Sequence, residues 1–312
     1  MREEVLCELT SLSREPLRIK GFRFGTPHAK PSCVIVGPLS GTAIDQLWVA
    51  SRMVRFLRQK ELENPAFIQG EILIVPAVNP YSFNMGKSFW TLDNTDIDTM
   101  FPGYDKGETT QRIAAKLFEK INHFDTAILL EARKDRSECI PYVKVLTTGY
   151  EKVEMARAFG LEFIYHKEPT PSDTVSLPYN WQIWNTQAFS IVSGKKGTLR
   201  KLESAKVFDA LIRFLSQKGL INYKTFEGAT GNIITNKNIH VIKSTAAGLF
   251  DALASIGDYV IHGQPIARVY HSLDGSLLQT ILAPSEGVIS CKYDYPLIFQ
   301  NAVAFRIISL NS

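Results

Sequence analysis

The sequence predicts an α/β domain, a mostly parallel mixed sheet with flanking helices, followed by a small all-β domain. Three observations carry that prediction. Short apolar runs ending at Gly, Pro or Asn alternate with amphipathic helical stretches along the first part of the chain, the pattern of strands joined by crossover helices. The runs are continuous rather than alternating, as strands covered on both faces must be. From Ile239 onward the apolar runs shorten and are broken by Gly, Pro, Asp and Ser at close intervals, which is an all-β pattern.

Taken in order, SCVIVG (32–37) reads as the first buried strand, closed by Gly37 and Pro38. The segment after it sets Val49, Ala50, Met53, Val54 and Leu57 at three- and four-residue spacing, with Ser51, Arg52, Arg55 and Arg58 on the other side, so it is an amphipathic helix. EILIVPAVN (71–79) is a strand, Thr109–Ile121 a helix with Ile113, Leu117 and Ile121 on one face, and TAILLEA (126–132) a further strand. A helix over Lys201–Gln217 closes the first domain, and GATGN (228–232) reads as a linker, giving domains at 1–227 and 228–312. VIHGQPIARV (260–269) and IFQNAVAFRI (298–307) share a weak similarity at matching positions, which suggests a barrel or sandwich made of two related halves.

At 312 residues, 45% hydrophobic and 21% charged, the chain has ample material for two cores and no compositional case for disorder. Lys and Arg exceed Asp and Glu by 35 to 31 and are spread along the chain, so electrostatics offer little to nucleic acid. The four cysteines stand far apart without a CxxC pair, which predicts reduced, mostly buried thiols rather than a zinc knuckle or a disulfide framework. The amino terminus lacks a signal-peptide pattern, and no apolar run reaches the ~18 residues of a membrane span, so a cytoplasmic setting without membrane contact is expected.

In a parallel sheet the ligand crevice lies beyond the carboxyl ends of the strands. The segments found there are GPLSGTAIDQ (37–46), NPYSFNMGKSFWTLDNTDIDTMFPG (79–103) and the end of TAILLEA. Together with GDYVIHGQPI (257–266) and APSEGVIS (283–290), they resemble the succinylglutamate desuccinylase/aspartoacylase family, which has the zinc carboxypeptidase-like fold. In that family the first segment holds a His-Gly-Asn/Asp-Glu motif with two zinc ligands. The second holds Asn-Pro, then Asp-x-Asn-Arg, then Phe-Pro-Gly, and the strand end supplies a His ligand.

Carried over position by position, the resemblance implies a degenerate site. Ser40 stands for the first His, Ala43 for the Glu and Glu131 for the second His. A zinc site needs three imidazole or carboxylate donors, and this set provides one. The Asp-x-Asn-Arg clamp reads Asp96, Ile97, Asp98 and Thr99, which replaces a cationic fork with an anion and a hydroxyl. The general-base position in the late strand AFSIVSG (188–194) falls on Val192, or on Ser193 if the register slips by one, and neither moves a proton at neutral pH.

Plainer readings exist for each residue. Glu131 reads as a solvated or paired carboxylate at a strand end. Asp93, Asp96 and Asp98 fit turn chemistry better than a calcium loop, whose Gly and distal Glu are not in register. Ser40 is not in a nucleophile elbow and has no identifiable His or Asp partner. The family's carboxyl-terminal β-domain is itself related to biotinyl/lipoyl hammerheads, but here it has no Met-Lys-Met or Asp-Lys-Ala hairpin, so the resemblance implies no biotin or lipoate. The resemblance therefore implies a hydrolase scaffold without zinc or other cofactor, serving as a binding or regulatory pseudoenzyme. Its crevice is expected to be net acidic at Glu131, Asp96 and Asp98, suited to a small neutral or cationic molecule. The alternative is an amide or ester hydrolase of N-acyl amino acid-like substrates with a non-standard metal site.

Overall fold

The computed structural model describes residues 1–10, 15–90, 93–133 and 135–309. It divides into two compact units: one made of 1–132, 141–192 and 196–233, the other of 133–140, 193–195 and 234–312. The boundary expected at 227/228 thus lies at Ile233/Ile234, and the second unit also takes two short pieces from earlier in the chain. No described helix is long and apolar enough to cross a membrane.

The first unit opens with β1 (Arg2–Leu9) and β2 (Leu17–Phe24), an antiparallel pair that charged residues disguise in the sequence. Then follow β3 (Ser32–Val36), α1 (Ile44–Glu63), β4 (Glu71–Val75), α2 (Pro80–Met85), α3 (Thr109–Ile121) and β5 (Thr126–Arg133). After β6 (Ser137–Cys139), which belongs to the second unit, come β7 (Tyr142–Leu146), β8 (Phe163–Lys167), α4 (Leu177–Ile183), β9 (Gln187–Lys195), α5 (Lys201–Gln217) and β10 (Asn232–Ile234). Nine strands form one mixed sheet in the order β1-β2-β4-β3-β5-β9-β7-β8-β10. Its centre is parallel, β3 pairing with β4 and β5, while β2–β4 and β7–β9 are antiparallel.

Both faces of this sheet are covered, which is why the central strands read as unbroken apolar runs. Cys33 and Ile35 of β3, Ile72 and Ile74 of β4, and Ile128 and Leu130 of β5 pack with α1 and α5. The intervening residues Val34, Val36, Leu73, Val75, Ala127 and Leu129 pack with α3 and α4 on the other side. This is the period-two alternation of a strand with both sides buried.

Asp45, in the first turn of α1, ties the two outer helices of one face together. Its Oδ1 accepts from the Arg200 backbone N–H at 2.6 Å and the Ser204 hydroxyl at 2.9 Å, capping the start of α5, whose own N-cap residue makes no side-chain cap. Asp45 is 2% exposed and its Oδ2 has no hydrogen-bond partner. Burial raises its pKa above the ordinary value, more than these two hydrogen bonds lower it. The protonated acid is therefore favoured on folding, and the stability it brings is present below the unfolded pKa of about 3.9 and lost as pH rises through the raised folded value. Thermal unfolding of wild type and Asp45→Asn between about pH 4 and pH 8 should show the difference in stability moving in the variant's favour as pH rises. A constant difference would contradict it.

The second unit repeats itself. Beyond β6 it contains β11 (Ile239–Lys243), β12 (Gly248–Ala252), β13 (Tyr259–Val260), β14 (Pro265–Tyr270), β15 (Leu277–Leu282), β16 (Gly287–Tyr293), β17 (Leu297–Ile298) and β18 (Val303–Ile308). One sheet runs β11-β18-β16-β13 and the other β15-β14-β12-β17. Exchanging the first four strands for the last four, in order, converts one sheet into the other, so the two halves suspected from the sequence form a sandwich with internal twofold symmetry. The correspondence reaches single bonds. Gly263 and Asn301 both adopt positive φ, 79° and 65°. The Gly263 N–H donates to Ala283 O at 2.8 Å, as the Asn301 N–H donates to Ser244 O at 2.8 Å. Val260, Ile266, Val269, Ile281, Ile289, Ile298, Phe305 and Ile307 from both sheets fill the core between them.

The strand β6 joins this sandwich beside β16, and there Cys139 faces Cys291 in register and is disulfide-bonded to it. The expectation of four reduced cysteines is corrected for this pair. Spacing along the chain gave no hint, because the partners are 152 residues apart and meet only through β6. Cys7 and Cys33 are free and buried, and burial pushes the Cys33 thiol up to about 12.

Candidate functional site

The loop between β3 and α1 is fixed by close backbone approach. Gly37 N–H donates to Val75 O at 2.7 Å, and Gly41 lies against the backbone of α2. This places Ser40 beside Thr42, Oγ to Oγ1 at 2.9 Å. Thr42 Oγ1 lies 3.2 Å from Ser88 Oγ, which accepts from the Lys196 ammonium at 3.3 Å. The result is a chain of three hydroxyls ending on a cation. Ala43 is the N-cap residue of α1, 1% exposed, and offers only a methyl group.

At the end of β5, Glu131 is held on three sides. Lys144 Nζ on β7 donates to its Oε2 at 2.6 Å, Ser190 Oγ on β9 donates to its Oε1 at 3.1 Å, and Gln46 Nε2 of α1 donates to its main-chain carbonyl at 3.2 Å. In the β7–β9 pair Lys144 stands opposite Ser190 and Tyr142 opposite Val192, so these four side chains share one face of the sheet. Val192 therefore lies on the Glu131 side, 4% exposed, and Ser193 points to the other. Lys144 is only 17% exposed. Burial alone would lower its pKa, but Glu131, with lesser help from Tyr142 and Asp98, outweighs it and holds the ammonium above the usual lysine value.

Asp93, Asp96, Asp98 and Thr99 follow turn chemistry. Asp93 accepts from Thr95 N–H at 3.1 Å and from the Thr110 N–H and hydroxyl at 3.0 and 2.7 Å, bracing the first turn of α3. Burial pushes Asp93 up, but these hydrogen bonds prevail and leave it below the ordinary carboxylate range. Asp96 Oδ1 accepts from Asp98 N–H at 3.1 Å, and Asp96 O accepts from the Thr99 hydroxyl at 2.8 Å. Within the motif stretch 79–103, Thr91 and Leu92 lie outside the described residues.

The acid cluster is partly compensated, since Glu131 is ion-paired to Lys144 and Asp98 contributes to the same field. Arg133 pairs with Asp135 and Lys195 with Asp294. The signal for Lys144 was present in the sequence as a lone lysine inside the strand YVKVL (142–146). A charge in a buried strand needs a partner.

Comparison with known proteins gives this fold a name. No family model matches the chain. It superposes on a succinylglutamate desuccinylase from Silicibacter sp. TM1040 with a TM-score of 0.81 and 15% identity, covering 99% of this chain and 95% of that one. The fold is that of the succinylglutamate desuccinylases and aspartoacylases. An aspartoacylase family protein from Mesorhizobium loti aligns at TM-score 0.75 and 20% identity, over 95% of this chain and 90% of that one. The ectoine utilization protein of Ruegeria pomeroyi, in a product-bound structure, aligns at 0.78 and 16%, over 98% and 94%. By sequence the chain is 21% identical over 264 residues to an N-alpha-acetyl-L-2,4-diaminobutyric acid deacetylase from Halomonas elongata, 77% of this chain and 70% of that protein. The desuccinylase/aspartoacylase fold predicted from the Asn-Pro and Phe-Pro-Gly segments is thus the one found.

Proposed function

We propose that this chain is a non-catalytic relative of the desuccinylase/aspartoacylase hydrolases, keeping their crevice for binding or regulation. The observation that carries this reading is the Glu131–Lys144 ion pair. By the resemblance Glu131 stands for a family zinc ligand, and its carboxylate is committed to an ammonium 2.6 Å away. Ala43 has no lone pair to offer, and Ser40 is engaged with Thr42. Among the described residues no three His, Cys, Asp or Glu side chains gather as a metal-binding group. This donor set does not fit zinc.

Zinc supplies such enzymes with a water of pKa about 7 and a polarised carbonyl. On this reading zinc is absent and the base position falls on Val192, which cannot move a proton. Of the neutral and cationic ligands expected from the sequence, the paired Glu131 favours a neutral molecule with hydrogen-bonding groups, to which the hydroxyls of Ser40, Thr42, Ser88 and Ser190 are suited.

Protein purified without chelator should contain zinc well below one equivalent and should not hydrolyse N-acyl amino acids with or without added zinc. Ser40→His alone should not restore turnover, because the remaining positions still lack donors and a base. Stoichiometric zinc that is lost in Glu131→Ala, or turnover abolished by the same change, would instead establish a hydrolase with a non-standard metal site.

A further inference from the structure

The outer face of α1 carries a second stripe, distinct from the Val49, Ala50, Met53 and Leu57 face that it buries. Trp48, Arg52, Arg55, Gln59 and Leu62 follow one another at intervals of four, three, four and three residues, the spacing of a coiled-coil seam. They span about 21 Å of helix. Along them run two adjoining grooves of about 430 and 400 Å³ that share Arg55 and Gln59, the first walled by Phe56 and by Phe208 of α5.

The floor of this trough is aromatic. Phe56 meets Phe67, Phe208 and Tyr223 edge-on, with ring centroids 5.6 to 6.0 Å apart. The Arg52 guanidinium lies 4.4 Å from the Trp48 ring centroid and 5.6 Å from that of Phe208. Arg52, Arg55 and Arg58 are exposed, and none has a carboxylate partner among the described residues. Leu62 is 78% exposed at the far end. Aromatic and arginine anchors on a preorganised surface are the residues that carry binding energy at protein interfaces.

We propose that this face of α1 and α5 docks an acidic amphipathic helix of a partner protein. Trp48, Phe56, Phe208 and Leu62 offer the apolar surface for a helical stripe, and the three arginines call for acidic residues beside it. A second copy of the chain fits less well, since it brings the same arginines to the interface. This surface is independent of the Glu131–Lys144 cluster and of whether the crevice binds or turns over a ligand.

The probe is a fluorescein-labelled peptide of about three heptads with leucines at the seam and glutamates beside them, titrated with the full chain. Binding should be saturable, fall as salt is raised, and weaken by at least about tenfold in Arg52→Glu/Arg55→Glu/Arg58→Glu and in Leu62→Asp. Circular dichroism melts of the variants, whose changed side chains are exposed, verify that they remain folded. Absence of saturable binding, or equal binding by the triple variant or by a peptide with lysines in place of glutamates, would overturn the proposal. So would duplex DNA competing as well as the peptide. A wild-type dimer in light scattering that Leu62→Asp converts to monomer would assign the face to a second copy instead.

Discussion

Glu131→Leu is expected to destabilise the first unit by about 2 to 3 kcal/mol, whereas the double variant Glu131→Leu/Lys144→Met should recover most of that loss. Glu131 and Lys144 are 20% and 17% exposed, so each carries a desolvation cost that only the other offsets. Removing one leaves a nearly buried charge without its partner, at a cost that partial exposure keeps below the 3 to 5 kcal/mol typical of fully buried pairs. Removing both leaves a hydrophobic pair of similar volume beside Val192. The stability that Lys144 gains from its raised pKa is fully present at neutral pH and is lost only as pH rises through that raised value. Urea unfolding of the two single variants and the double variant gives the coupling energy directly. Additive effects would mean that the pair is a surface contact of no consequence, and the main support for the non-catalytic reading would fall.

The second large effect is expected at Gly41. A Cβ there would lie 2.2 Å from the Ser82 carbonyl carbon and 2.5 Å from the Phe83 nitrogen. Both are backbone atoms of α2 and cannot step aside as a side-chain tip can. Gly41→Ala must lift the loop from the helix, breaking the hydroxyl chain through Ser40, Thr42 and Ser88, and is expected to cost about 3 kcal/mol or more. Gly86 provides the control: it has φ 60° but open space around its Cβ direction, so Gly86→Ala should cost only about 1 kcal/mol. Denaturant midpoints at unchanged m-value separate the two. Equal losses would show that the loop has room to move.

These cases mark how far the sequence could be read. The helices Thr109–Ile121 and Lys201–Gln217 were legible, because their apolar faces are sharply periodic. The hairpin of β1 and β2 was not, because β1 lies at the sheet edge and carries charge, and β2 alternates Arg18 and Lys20 with Leu17, Ile19 and Gly21 instead of forming an unbroken apolar run like the central strands. At the site, Ser40, Ala43 and Glu131 were singled out from the segments at strand ends, and Val192 from the register of AFSIVSG. What that order could not give was pairing across the sheet. Lys144 meets Glu131 only because β7 and β9 run antiparallel in one particular register, and register depends on the whole sheet rather than on any local motif.

The symmetry of the second unit bears on its mechanical behaviour. Each of its sheets draws two strands from either half: β11 and β13 stand with β16 and β18, and β15 and β17 with β12 and β14. Neither half can be withdrawn without tearing strands from both sheets at once. The halves are joined as a clasp rather than a zipper, and the Cys139–Cys291 bond adds a covalent rivet on β16. Under tension this unit should yield in a single rupture instead of peeling strand by strand.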